Sequence, residues 1–124
     1  MMTKNRPVFL DLTQLSFPIP AIMSVGHRAS GILMVLAIPF LVYMLDLSLS
    51  GAEGFATAQS VFSGWFAKLL MFVLLWALLH HLLAGIRYLL IDFDIFVDKE
   101  MGTLSAKAVM VAAPILALFI EVLL

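Results

Sequence analysis

The sequence predicts an all-α integral membrane protein that crosses the bilayer three times. Hydrophobic residues make up 64% of its 124 residues and charged ones only 12%, and its mean hydropathy is +1.13. A soluble domain of this size has too little interior to hide that much apolar surface. The apolar residues also fall into three helix-length blocks nearly free of charge, each matched to a hydrocarbon layer of roughly 30 Å. The strict polar–apolar alternation of a membrane barrel strand is missing.

The elements follow in chain order. Residues 1–20 carry Lys4, Arg6, Pro7, Asp11, Pro18 and Pro20 with no sustained apolar run, and read as a cytoplasmic amino-terminal segment rather than a cleavable signal peptide. The first span is expected over 25–47: Ala29 to Leu45 holds no charge, Asp46 ends it, and Pro39 is a possible kink of the kind membrane helices tolerate. Asp46 to Gly64, with Ser48, Ser50, Gly51, Glu53, Gly54 and Gln59, reads as a loop holding at most a short surface helix. The second span is expected over 65–91, uncharged from Leu69 to Ile86 and stopped by the acidic stretch from Asp92 to Glu100. The third runs over 105–124, with Pro114 inside it. Residues 1–124 thus form one transmembrane domain, and the chemistry is limited to what a few helices present.

Orientation follows from the basic residues. Lys4, Arg6 and Arg28 flank the start of the first span, Arg87, Lys99 and Lys107 flank the second connection, and Lys68 alone marks the other side. The positive-inside rule then sets the amino terminus in the cytoplasm. A net charge of −1 leaves no basic footprint for nucleic acid. The absence of cysteine excludes disulfides, thiolate metal sites and iron–sulfur ligation by this chain. No internal repeat is evident, which weighs against a transporter with His81 and Arg87 lining a pathway.

This topology brings the start of the first span and the end of the second to one face, where Ser24, His27, Arg28, His81 and Arg87 are expected to share a pocket. Ser24 and Arg28 stand at i and i+4 on one helical face. A hydroxyl beside a guanidinium can hold a carbonyl oxygen and stabilise charge developing on it. Both also have plainer readings: Arg28 as a lipid-phosphate anchor and Ser24 as a helix cap. His81 stands in an uncharged apolar segment, and Gly85, one turn on, removes a side chain that would obstruct a flat macrocycle such as haem. The alternative for a lone intramembrane histidine is a hydrogen bond to a neighbouring helix. His80 points about 100° away from His81 and must face elsewhere. His27 reads as an interfacial or propionate-contacting residue. Arg87 is either a snorkelling anchor or a partner for a carboxylate, and Asp92 either a proton relay or a solvated helix end.

At these residues the chain resembles the larger cytochrome b membrane-anchor subunit of succinate dehydrogenase, a succinate:quinone oxidoreductase. The resemblance spans nearly the whole sequence. It rests on Arg6-Pro7-Val8-Phe9-Leu10-Asp11-Leu12, Phe17-Pro18-Ile19, Ser24-Val25-Gly26-His27-Arg28-Ala29-Ser30-Gly31, Gly51-Ala52-Glu53-Gly54-Phe55, and His81-Leu82-Leu83-Ala84-Gly85-Ile86-Arg87 followed by Asp92. It implies that His81 is one axial ligand of a haem b, that Ser24 and Arg28 contact a ubiquinone head group, and that His27 neighbours the haem propionates. It further implies a second, smaller anchor subunit supplying the opposite ligand, flavoprotein and iron–sulfur partners on the cytoplasmic face, and residence in a bacterial cytoplasmic (inner) membrane. Tyr88 and His80 depart from the pattern, since some members carry a further histidine at the position of Tyr88. Two rival readings of the same residues are a fumarate reductase anchor and a cofactor-free structural anchor.

Overall fold

The computed structural model describes residues 16–123, and the motif at 6–12 with Lys4, Arg6 and Asp11 lies outside them. The described residues form four helices and no strand: α1 (Ile19–Leu49), α2 (Ala52–Ser63), α3 (Trp65–Asp92) and α4 (Lys99–Leu123). α1, α3 and α4 are each long and apolar enough to cross a membrane. At 1.5 Å per residue their 31, 28 and 25 residues span roughly 46, 42 and 37 Å, more than the hydrocarbon layer alone.

α1 starts six residues before the expected 25. The reason is that prolines punctuate a helix asymmetrically. Pro18 stands extended at the cap (φ −65°, ψ 148°) with Pro20 in the first turn, where a missing N–H costs nothing. Ala21 N–H then donates to the Pro18 carbonyl at 2.9 Å. The helix continues through Pro39 and ends at Ser50, after which Gly51, at φ 123°, turns the chain in a conformation that favours glycine. The expected loop is largely α2. Its buried Gly54 and Ala58 face α1, and Phe62 meets Phe40 edge-on at 6.3 Å.

α4 likewise starts earlier than 105, at Lys99, because Asp98 caps it: its Oδ1 accepts the Met101 N–H at 2.8 Å. The connection before it is tight, with Asp94 and Phe96 both left-handed (φ 60° and 66°) and Ile95 N–H returning to the Leu90 carbonyl at 3.0 Å.

The buried positions on α3 are Ala77, His80, Ala84 and Arg87, and on α4 Gly102, Ala106, Val109, Ala113 and Ala117. Spacings of three and four residues make each set one stripe. The residues are mostly small, which suits lipid, where helices associate through close backbone approach rather than through a hydrophobic drive. Met23 of α1 joins Ala84, Ala106 and Val109 in the central cluster, so all three long helices meet near the start of α1. Outward-facing Val35 and Leu36 on α1, Leu82 and Leu89 on α3, and Ile115 and Phe119 on α4 leave the periphery apolar.

Arg87 corrects one sequence reading. Only 6% exposed, it is not a snorkelling anchor. Its Nε donates to Ser105 Oγ at 2.9 Å and its Nη2 to the Gly102 carbonyl at 2.8 Å, tying the end of α3 to the start of α4.

Candidate functional site

The site is built where the opening turns of α1 lie against the middle of α3. His81 sends Nδ1 to the His27 carbonyl at 3.1 Å and lies 3.4 Å from Ser30 Oγ. Ser30, fully buried, donates its own hydroxyl to that same carbonyl at 2.8 Å. A carbonyl only accepts, so Nδ1 carries the proton and Nε2 keeps its lone pair. Among the described residues Nε2 makes no hydrogen bond. A backbone carbonyl on one ring nitrogen is the arrangement that fixes the tautomer and orientation of a metal-binding histidine.

The His27 ring stacks on His81 with centroids 4.1 Å apart and planes 15° from parallel, and Tyr88 meets His27 edge-on at 5.3 Å. Gly31 makes the approach of His81 feasible, since a Cβ there would stand 3.1 Å from its Cε1. A Cβ at Gly85 would sit 3.9 Å from His27 Nε2, an ordinary contact distance, so the bare side of this glycine faces that imidazole. His80, rotated away as the helical period demands, is 3% exposed between α1 and α3.

His27, Arg28, Gly31 and His81 line one groove of about 1020 Å³, walled by aliphatic side chains such as Val35, Leu74 and Leu78. Arg28 is exposed, and its guanidinium is the cation at this otherwise apolar surface. Ser24, half-buried, stands one turn earlier on α1, on the face it shares with Arg28 but outside the residues that line the groove. Arg87 does not join them. It borders a separate space of about 390 Å³ with Phe96 and Ser105. Asp92 is exposed as the last residue of α3. Of the five residues expected in one pocket, three share it.

Ser30 and Gly31 were not singled out by the sequence reading, although both fall within the Ser24–Gly31 motif. A serine three residues after a histidine in an apolar helix ordinarily satisfies only its own backbone, and only tertiary contact reveals the second histidine beside it.

Membrane-length helices that bury a polar core of adjacent histidines and display an arginine at an apolar groove define a polytopic membrane subunit with a histidine site. Residues 2–120 match the family model described as succinate dehydrogenase/fumarate reductase transmembrane subunit. The chain belongs to that family. It is 40% identical over 114 residues, covering 90% of each chain, to the succinate dehydrogenase cytochrome b556 subunit of Coxiella burnetii. It is 30% identical to the subunit of the same name from Paracoccus denitrificans, covering 91% of this chain and 87% of that one. The cytochrome b560 subunit of Reclinomonas americana is 31% identical over 80% of this chain and 72% of its own.

Proposed function

We propose that this chain is the haem b-bearing membrane anchor of a succinate:ubiquinone oxidoreductase, holding the soluble subunits at the membrane and forming part of the site where ubiquinone is reduced. The observation that carries the reading is the hydrogen bond from His81 Nδ1 to the His27 carbonyl, which leaves Nε2 as a free ligand nitrogen on a residue lining an apolar groove. Among the described residues no three His, Asp or Glu side chains converge as a metal cage. One presented imidazole therefore suits a metal that brings its own equatorial ligands, as haem iron does. The cytochrome b names of the relatives support the same choice, and their succinate dehydrogenase names support succinate oxidation over fumarate reduction.

In this reading His81 Nε2 would hold the haem iron, and a second, smaller anchor subunit would supply the other protein ligand. When bound, haem supplies a one-electron centre of tunable potential. His27, stacked on His81 at the groove, is the neighbour of the propionates. Ser24 donates a hydrogen bond to a quinone carbonyl oxygen, and Arg28 opposes the negative charge that builds on that oxygen as electrons arrive from the iron–sulfur subunit. Two electrons and two protons complete the quinol, the protons entering from the aqueous end of α3 beside Asp92. The flavoprotein subunit oxidises succinate, and the complex resides in a bacterial cytoplasmic membrane with the amino terminus of this chain inside.

Replacing Arg28 by Ala tests the quinone role. The loss of a preorganised charge-stabilising donor costs about 10²–10³ in rate. Ubiquinone reduction is expected to fall by that order while oxidation of succinate with a soluble dye acceptor is kept. Unchanged ubiquinone reduction in the variant would remove the assignment, whereas an equal fall in both activities would mark a failure of assembly.

A further inference from the structure

His80 is used by nothing in the account above, yet it is more deeply buried than His81. Its Nε2 lies 3.4 Å from the Met23 carbonyl, a long hydrogen bond, while Nδ1 is buried without a partner. The next residue, His81, reaches the carbonyl of His27, four residues and one turn further along α1. Two adjacent side chains point about 100° apart, so both reach the same neighbouring helix only where it comes very close. Gly26 permits that approach: a Cβ there would stand 2.8 Å from His80 Nε2, closer than side chains tolerate. Trp76, one turn before His80, backs the ring with centroids 5.5 Å apart.

We propose that His80 is a positioning residue: seated in the notch at Gly26 and donating to the Met23 carbonyl, it forms with His81 a two-point clamp on the turn of α1 that carries Ser24, His27 and Arg28. The carbonyl only accepts, so Nε2 holds the proton and the orphaned Nδ1 keeps its lone pair. An unpaired buried nitrogen costs free energy that a leucine would avoid. The imidazole is explained by what Nε2 does for α1. With both carbonyls held, that turn can neither slide nor rotate on α3 without breaking a contact, and the quinone and haem residues keep their spacing. The inference rests on the functional reading above, in which those residues meet ubiquinone and haem.

The test uses the assembled complex, with dye-coupled succinate oxidation counting intact complexes. His80→Leu is expected to raise the KM for ubiquinone on the order of tenfold, with a smaller change in kcat, and to alter the electron paramagnetic resonance signal of the ferric haem. His80→Gln, whose terminal N–H reaches the position of Nε2, is expected to restore both. Gly26→Ala is expected to impair the complex, and adding His80→Ala to recover part of that loss by vacating the notch. Unchanged KM and signal in His80→Leu, equal impairment by Gln and Leu, or additive losses at Gly26 and His80 would overturn the clamp. Should His80→Leu fail to assemble, His80→Gln and the Gly26 pair decide alone. Failure of the functional reading is separately visible, as a wild-type rate of ubiquinone reduction kept in Arg28→Ala.

Discussion

Replacing Arg87 by Met probes the contact that most changes the picture drawn from sequence. Methionine keeps the apolar stem and leaves little cavity, so the change isolates the guanidinium. That group makes two hydrogen bonds across to α4, to Ser105 and Gly102, and lies 5.8 Å over the Tyr88 ring. Hydrogen bonds between membrane helices contribute about 0.6 kcal/mol on average and about 1.7 at most. Two such bonds give about 1–3 kcal/mol, and the contact with the ring adds about 0.5. Against this, burying a guanidinium carries a desolvation cost that methionine relieves. The coupling with Ser105 is therefore more decisive than the single substitution. Arg87→Met, Ser105→Ala and the double variant, titrated with SDS in mixed micelles, are expected to give a coupling energy of about 0.6–1.7 kcal/mol. A lipid-phosphate anchor at the surface would change stability by about 0.5 kcal/mol or less. Additive effects of the two substitutions would refute the tie between α3 and α4.

Two further outcomes follow from named contacts. Ser30→Ala leaves His81 Nδ1 with the His27 carbonyl alone; outer partners of metal-bound histidines are worth about 10- to 100-fold in affinity, so haem retained per complex, measured by pyridine haemochrome after dilution in detergent, is expected to correspond to about tenfold weaker binding, and unaltered retention would count against a role for Ser30. Asp98→Ala removes the cap on α4 and is expected to cost about 1 kcal/mol in the same micelle titration, whereas Asp98→Asn, which keeps an accepting oxygen, stays within a few tenths; equal losses would contradict the cap.

The three long helices were legible because charge-free runs leave few options in a bilayer, and Asp92, which ends α3, is an explicit stop. Their ends were less so. Pro18 and Pro20 read as breakers, though a first turn accommodates them, and the polar residues from Lys99 to Ser105 hid a helix start that Asp98 caps. The pairing of α1 with α3 followed from alternating topology, and with it the meeting of His27, Arg28 and His81. Which way each side chain turns within that pairing did not. Arg87 follows His81 by six residues, and spacing alone cannot tell that α4 packs on its side of α3. Gly85 announces room for something flat, but whether an imidazole or a macrocycle takes that room depends on where α1 lies. Ser30 was visible within a motif, and its contact with a histidine 51 residues away was not.

The central claim is that the imidazole at position 81 grips haem iron. The complex, purified in mild detergent, is to be compared as dithionite-reduced minus oxidised difference spectra for wild type and His81→Leu. The account predicts a reducible b-type band in the wild type that is lost or displaced in the variant while the soluble subunits stay attached. The same band, unchanged in the variant, would contradict it.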